Sequence, residues 1–294
     1  MKNKILTGMT GLVYTLSYSF AQMLGGLVYA IVAAIFLVSR GAGQGIGIAM
    51  DQLLVQHMIL VSALSSFFLL IAYGAGYKYT GTKLKQLYGF HRISVSKLAV
   101  SLLSGFSVYG IVSVLLGLLA WFLPGTTGAF EQHSEQINFM FTGFLPSLIL
   151  VGVLMPVLEE LFFRGVIINL LKKHFGTVSC IFLSAIFFGL AHLNPLEINF
   201  IQPIYAFALG ILFAVLRHRF NSVFAPALAH IAFNSFSVFL YFFIEPLEQS
   251  HPELFNMIPV AMLIVSLVVL PLCMVAVYFL GKKKPSREPE SVEV

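Results

Sequence analysis

Two adjacent carboxyl groups, Glu159 and Glu160, lie within an apolar stretch of the sequence, and Arg164 follows one helical turn later. Residues spaced i and i+4 share one face of a helix, so Glu160 and Arg164 are predicted to form an ion pair. The Glu159 side chain points about 100° away from that face and keeps no partner on its own helix. An unpaired carboxyl group in such a setting is typical of a general acid or base, or of a metal ligand.

Two histidines and an asparagine in later apolar stretches could complete such a site. His192 ends a Phe-x-x-x-His motif at 188–192, and His230 and Asn234 are spaced i and i+4. The side chains of His230 and Asn234 therefore share a helix face and could direct two hydrogen-bond donors at one position. A tetrahedral oxyanion requires donors of this kind.

The chain that carries these residues has the composition of a membrane protein. Of its 294 residues, 59% are hydrophobic and 10% are charged, whereas about 25% are charged in an average soluble domain. Apolar stretches near the ~20 residues that cross a bilayer predict an all-α polytopic fold of about eight transmembrane helices. The predicted spans are 10–38, 53–76, 98–123, 144–171, 177–194, 200–216, 222–244 and 257–280. The fifth and sixth are short, and the candidate site residues lie on the fourth, fifth and seventh.

The depths of the candidate residues indicate that they can meet. With a rise of ~1.5 Å per residue, Glu159 lies ~20 Å from the cytoplasmic end of its span and His192 ~22 Å from the start of its own. His230 and Asn234 lie ~12–18 Å from the start of theirs. The three levels agree within one or two helical turns, so one buried polar site is predicted.

The basic residues predict the orientation of the chain, because they concentrate beside the cytoplasmic ends of spans. Of 17 Lys and Arg, all but Arg40 and Arg164 fall in segments that eight crossings place on one side. These segments hold Lys2 and Lys4; Lys78, Lys83, Lys85, Arg92 and Lys97; Lys172 and Lys173; Arg217 and Arg219; and Lys282, Lys283, Lys284 and Arg287. Both termini are therefore expected in the cytoplasm.

The three motifs together resemble the CPBP family of intramembrane proteases. Glu-Glu-x-x-x-Arg (159–164), Phe-x-x-x-His (188–192) and His-x-x-x-Asn (230–234) occur in that order on successive core helices. The family includes the type II CAAX prenyl endopeptidases, or Ras-converting endopeptidase group, and the bacterial Abi proteins linked to bacteriocin self-immunity. The resemblance covers about 144–240. It implies an all-α membrane fold, endopeptidase activity and a site formed by Glu159, Glu160, Arg164, His192, His230 and Asn234.

Two versions of the chemistry follow from these residues. In the first, Glu159, His192 and His230 are three ligands of a Zn²⁺ ion with an open fourth position for water. In the second there is no metal: Glu159 and His192 activate the water, while His230 and Asn234 hold the oxyanion. The second is favoured here because Asn is a poor zinc ligand and a good donor. The cofactor stays open, with Zn²⁺ as the candidate.

The leading interpretation divides the chain into N-terminal transmembrane helices (1–143), a protease-like core (144–244) and a last transmembrane helix with a cytoplasmic tail (245–294). The expected partners are membrane lipid and a membrane-anchored protein or peptide, and no nucleic acid. For the protein or peptide, the resemblance suggests prenylated CAAX tails. A compact chain without a further domain suggests the bacterial plasma membrane.

Two rival functions remain: a non-catalytic scaffold or bacteriocin-immunity factor, and a proton-coupled transporter, whose relays also use intramembrane Glu, His and Arg.

Overall fold

The computed structural model describes residues 2–39, 46–79, 83–122, 143–193 and 200–281, together with residues 128, 131 and 141. Within these ranges the regular secondary structure is helical and contains no β-strand, which confirms the all-α prediction. The helices are α1 (Lys2–Ser39), α2 (Ile46–Tyr79), α3 (Leu84–Tyr88), α4 (Val95–Phe122), α5 (Phe144–Leu171), α6 (Thr177–Ala191), α7 (Ile201–Phe220), α8 (Phe224–Ile244), α9 (Leu247–Ser250) and α10 (Pro252–Leu280). The predicted tail, 282–294, lies outside the described residues.

A helix occupies the position of every predicted span. Among the described residues, six helices are long and apolar enough to cross a membrane: α1, α4, α5, α7, α8 and α10. The apolar parts of α2 and α6 are shorter, Leu60–Ala75 and Thr177–Ala191. At ~1.5 Å per residue the 15 residues of α6 reach only ~22 Å, so the prediction of a short fifth span is confirmed.

The prediction of a short sixth span was wrong. Helix α7 continues to Phe220 and has 20 residues, because Arg217 is part of the helix rather than of a loop. The Arg217 side chain is 2% exposed, and its Nε donates to the backbone oxygen of Arg164 at 3.0 Å. Its guanidinium also lies against Gly89, whose φ of +70° ends α3. A basic residue that sequence alone assigns to a loop thus joins three helices.

Helix α5 changes its hydrogen-bonding pattern around Pro156. π-Helical turns at Leu148–Leu154 and Leu161–Ile167 flank the α-helical turn Met155–Glu160. Proline has no N–H, so the carbonyl group of Val151 loses the partner that a continued π-helix would give it. Asn234 Nδ2 donates to Val151 O at 3.0 Å, and Ser235 Oγ donates to the neighbouring Gly152 O at 3.3 Å. A side chain of α8 therefore satisfies the carbonyl group that Pro156 leaves free, as a membrane interior requires.

Candidate active site

A buried ion pair occupies the inner face of α5. Glu160 Oε2 and Arg164 Nε are 3.1 Å apart, and both side chains are fully buried. The pair has salt-bridge distance but not the alignment of a hydrogen bond. Arg164 Nη2 donates to Gly210 O at 3.2 Å, and the guanidinium carbon lies 4.5 Å from the centre of the Phe188 ring. The predicted pair is confirmed, and the aromatic face supplies further stabilisation of the buried cation.

His230 connects this pair to Glu159. Its Nδ1 lies 3.2 Å from Glu160 Oε1, and its ring stacks on Phe213 with 4.7 Å between the ring centres. Because a carboxylate only accepts hydrogen bonds, we assign the proton to Nδ1 of His230. Its other nitrogen, Nε2, then faces Glu159 Oε2 at 3.9 Å.

His192 approaches Glu159 from the end of α6. Helix α6 ends at Ala191, so His192 follows the last helical residue instead of lying inside the span. Its Nδ1 bonds the carbonyl oxygen of Phe188 at 2.8 Å, a group that helix termination leaves without an intrahelical partner. A carbonyl also only accepts, so Nδ1 carries the proton and Nε2 points to Glu159 Oε2 at 3.9 Å.

The structure thus brings three candidate residues from three helices to one point. Glu159 Oε2 and the two Nε2 atoms are hydrogen-bond acceptors, and each Nε2 lies 3.9 Å from Glu159 Oε2, which is too long for a direct hydrogen bond. Glu159 and His192 keep 12% and 19% of their side chains exposed, so the point is accessible. A water molecule fits such a gap, because it donates two protons and separates groups across more than 3.5 Å. The arrangement can polarise that water.

The same three residues have the chemistry of zinc ligands, and each histidine has the outer partner that ligating histidines use. Their spacing is less suitable. Zinc bonds of 2.0–2.2 Å would bring neighbouring donors to about 3.3–3.6 Å, whereas each histidine Nε2 lies 3.9 Å from Glu159 Oε2. Within the described part of the chain, no group of three or more His, Cys, Asp or Glu is spaced to hold a metal ion. The residues as placed do not fit a zinc site.

Asn234 does not share a target with His230. The His230 donor is directed at Glu160, while an N–H of Asn234 goes to Val151 on the backbone of α5. The expectation that both donors converge on one oxyanion is therefore not met in this structure. The reason is the carbonyl that Pro156 leaves free, which takes up an amide proton of Asn234.

Comparison with known proteins finds a similarity to one family over about a third of the chain. Residues 141–236 match the family model described as type II CAAX prenyl endopeptidase Rce1-like. The segment 141–236 is similar to that family, and we call it the Rce1-like core. The matched segment contains Glu159, Glu160, Arg164, His192, His230 and Asn234. Searches among curated proteins and among solved structures found no significant match.

A residue outside the Rce1-like core also reaches the site, and the sequence reasoning missed it. Tyr18 of α1 is 2% exposed, and its ring stacks on Phe162 with 4.5 Å between the ring centres. Phe162 lies one turn after Glu159 on the same side of α5. The Tyr18 hydroxyl is within electrostatic range of the carboxyl groups of Glu159 and Glu160. The one available signal was a polar side chain in an apolar span, which is common in membrane helices.

Proposed function

We propose that this chain is an intramembrane endopeptidase that hydrolyses a peptide bond with a water molecule held by Glu159, His192 and His230. The match of residues 141–236 to the type II CAAX prenyl endopeptidase family model supports protease activity in general. The observation that carries the specific mechanism is the approach of His192 Nε2 and His230 Nε2 to Glu159 Oε2, each at 3.9 Å, beside a buried ion pair.

In the proposed reaction the Glu159 carboxylate removes a proton from the water, and the water oxygen attacks the peptide carbonyl carbon. The C–N bond of the resulting tetrahedral intermediate then breaks, and the leaving amine takes the proton from Glu159. Before the reaction His230 takes a second proton from solvent on Nε2, the nitrogen that accepts in the resting arrangement, and its Nε2–H then donates to the oxyanion while Glu159 and His192 hold the water. With Glu159 and Glu160 negative and Arg164 and His230 positive, the buried cluster then has no net charge, which limits its desolvation cost.

The remaining residues have positioning roles in this proposal. Arg164 neutralises Glu160, and Glu160 orients the His230 ring through Nδ1. Asn234 holds α8 against the backbone of α5. We further propose that the substrate is a membrane-anchored protein or peptide, with a prenylated carboxyl-terminal tail as the first class to test, and that both termini of the enzyme lie in the cytoplasm.

The test is cleavage of quenched fluorescent peptides by the purified full chain in detergent. Each carboxyl-terminal peptide is prepared with and without a farnesyl group. We expect Glu159→Gln to lower cleavage by about 10²–10⁴-fold, because the general base is lost. Glu248→Gln, the same change at an exposed carboxyl outside the predicted spans, should have no effect. Size-exclusion chromatography and thermal unfolding check that both variants are folded.

The other outcomes identify the alternatives. If the wild type cleaves no peptide, or if Glu159→Gln cleaves as well as the wild type, the endopeptidase proposal is wrong and a scaffold or carrier is favoured. If a zinc chelator abolishes cleavage and added Zn²⁺ restores it, the metal-free mechanism is wrong. If the farnesylated peptides are cleaved and the unmodified ones are not, the substrate class is that of prenylated carboxyl-terminal tails.

A further inference from the structure

A groove on the far side of α5 is not used by the proposed reaction. Its volume is about 540 Å³, within the roughly 300–1,000 Å³ typical of ligand pockets. We call it the Arg92 groove. It is lined by Phe90, Arg92, Ile93, Leu98, Val157, Leu161, Val223, Phe224, Ala227, Leu228 and Ile231. Ten of these eleven side chains are apolar, and the single charge is that of Arg92.

The groove and the candidate active site lie on different faces of α5. Val157 and Leu161 are spaced i and i+4, and Glu159 lies two residues from each. At about 100° per residue the Glu159 side chain therefore points about 200° from the groove-lining face. A peptide positioned at Glu159 would not fill the Arg92 groove, so a different occupant is required.

The charge around the groove indicates what that occupant carries. Arg92 is exposed, and it makes no ion pair within the described part of the chain. The segment 83–97 also contains Lys83, Lys85 and Lys97 and has no Asp or Glu. The Lys97 ammonium lies 5.3 Å from the centre of the Phe220 ring, at the same end of the helix bundle as the loop between α7 and α8. Phosphate groups of anionic lipids are attracted to juxtamembrane basic segments of this kind.

We propose that the Arg92 groove binds an anionic phospholipid, with one acyl chain between α4, α5 and α8 and the headgroup phosphate beside Arg92. An apolar groove lined by one cation, which has no ion-pair partner among the described residues, matches an amphiphile with an anionic head. The acyl chain contacts Val157 and Leu161 on α5 and Leu228 and Ile231 on α8. These residues lie on the two helices that carry Glu159 and His230, so the bound lipid fixes their separation from behind.

A fluorescence experiment tests the proposal without reference to protease activity. The chain has one tryptophan, Trp121, so Trp121→Phe combined with Phe224→Trp places the only reporter at the groove. The purified protein is reconstituted into phosphatidylcholine vesicles that contain increasing fractions of lipid with brominated acyl chains. We expect half-maximal quenching at about fivefold lower mole fraction for brominated phosphatidylglycerol than for brominated phosphatidylcholine, the preference expected from one basic residue near the membrane surface.

Two controls separate a groove site from general surface attraction. A reporter placed by Phe67→Trp on α2, a residue with 50% exposure, should respond equally to both lipids. On the Phe224→Trp background, Arg92→Gln should remove the preference, whereas Lys83→Gln, an equal change of charge outside the groove lining, should keep it. Equal quenching by the two lipids, or equal effects of Arg92→Gln and Lys83→Gln, would overturn the proposal.

A second measurement avoids the reporter substitutions. Native mass spectrometry of the full chain released from mixed micelles should detect one retained phosphatidylglycerol per chain in the wild type and in Lys83→Gln. The retained lipid should be lost from Arg92→Gln. Retention of phosphatidylcholine at the same level, or retention unchanged in Arg92→Gln, would also contradict the proposal.

Discussion

Helices α4 and α5 both contact α8, but they pack against it in different ways. In α4 the serine hydroxyls donate to their own helix: Ser101 to Lys97 O, Ser104 to Val100 O and Ser113 to Tyr109 O. Hydroxyls bonded in this way present an almost apolar surface to the neighbouring helix. In α5 the polar groups also bond to other helices, as Glu160 does to His230 and Gly152 to Ser235.

Glycines determine how close the neighbours of α4 can come. A methyl group on Gly105 would overlap the carbonyl oxygen of Ala229 in α8, and one on Gly110 would overlap the backbone of α10 at Met262. Small residues allow close packing of membrane helices, where the hydrophobic effect gives no preference for contact between helices over contact with lipid. We infer that close packing contributes most to the position of α4, whereas hydrogen bonds and charge contribute most to that of α5. The buried charges of the Rce1-like core thus lie on a helix whose position depends on them.

The largest effect is expected from removing one member of the buried pair in α5. Arg164→Met leaves the Glu160 charge uncompensated in the interior, so the free energy of unfolding should fall by about 3–5 kcal/mol. The double variant Glu160→Gln, Arg164→Met should be less destabilised than Arg164→Met alone, because no buried charge then lacks a partner. Unfolding of the purified protein in mixed micelles by increasing SDS measures both values.

The matched control is Arg219→Met, which removes a guanidinium 4.8 Å from the centre of the Tyr278 ring. It should cost about 0.5–1 kcal/mol, as for a partly exposed cation–π contact. Equal losses for Arg164→Met and Arg219→Met would mean that charge does not place α5, and the contrast with α4 would fail.

A smaller effect is expected from adding one methyl group to α4. Gly105→Ala should destabilise the protein by about 1–3 kcal/mol, because the new Cβ requires α4 and α8 to separate. Gly117→Ala on the same helix adds the same group where no other atom lies within 4 Å. It should be neutral or stabilising by up to about 1 kcal/mol through helix propensity. The same SDS titration compares the two, and equal stability would show that α4 is not placed by close packing.

Most of the fold was predictable, because apolar length and the lipid environment leave helices as the main solution for each span. The end of α7 was not. Arg217 looks like a loop residue in the sequence, and only the fold shows that its Nε reaches the carbonyl of Arg164, 53 residues away. A long-range partner of this kind has no local signal.

The candidate site was predictable where its geometry is local. The Glu160–Arg164 pair follows from a spacing of i and i+4, and the meeting of Glu159 with His192 and His230 was expected from matched depth. The partner of Asn234 was not predictable, because its acceptor exists only where Pro156 interrupts the hydrogen bonds of α5. Tyr18 was missed because hydropathy does not tell which face of α1 packs on the core. Whether these residues catalyse hydrolysis stays a prediction.

The smallest expected effect concerns Tyr18, which links the peripheral helices to the site. Gln22 Nε2 donates to Ser66 Oγ at 3.1 Å, and Ser66 Oγ donates to the Tyr18 hydroxyl at 3.1 Å. The Tyr18 oxygen accepts in this chain, so its own proton is available to the Glu159 carboxyl or to the water that Glu159 holds. If Tyr18 donates this proton to the site, Tyr18→Phe should lower kcat by about tenfold, with KM unchanged.

The control is Tyr14→Phe on the same helix, whose ring packs on Tyr73 with 4.7 Å between the ring centres. It removes an equal hydroxyl one turn away from the Gln22–Ser66–Tyr18 chain and should leave kcat unchanged. Thermal unfolding of both variants shows whether either change acts through stability. If Tyr18→Phe lowers stability and leaves kcat unchanged, Tyr18 only packs α1 on α5. In that case α1, like α4, would be held mainly by packing, and the contrast between α4 and α5 would extend to α1.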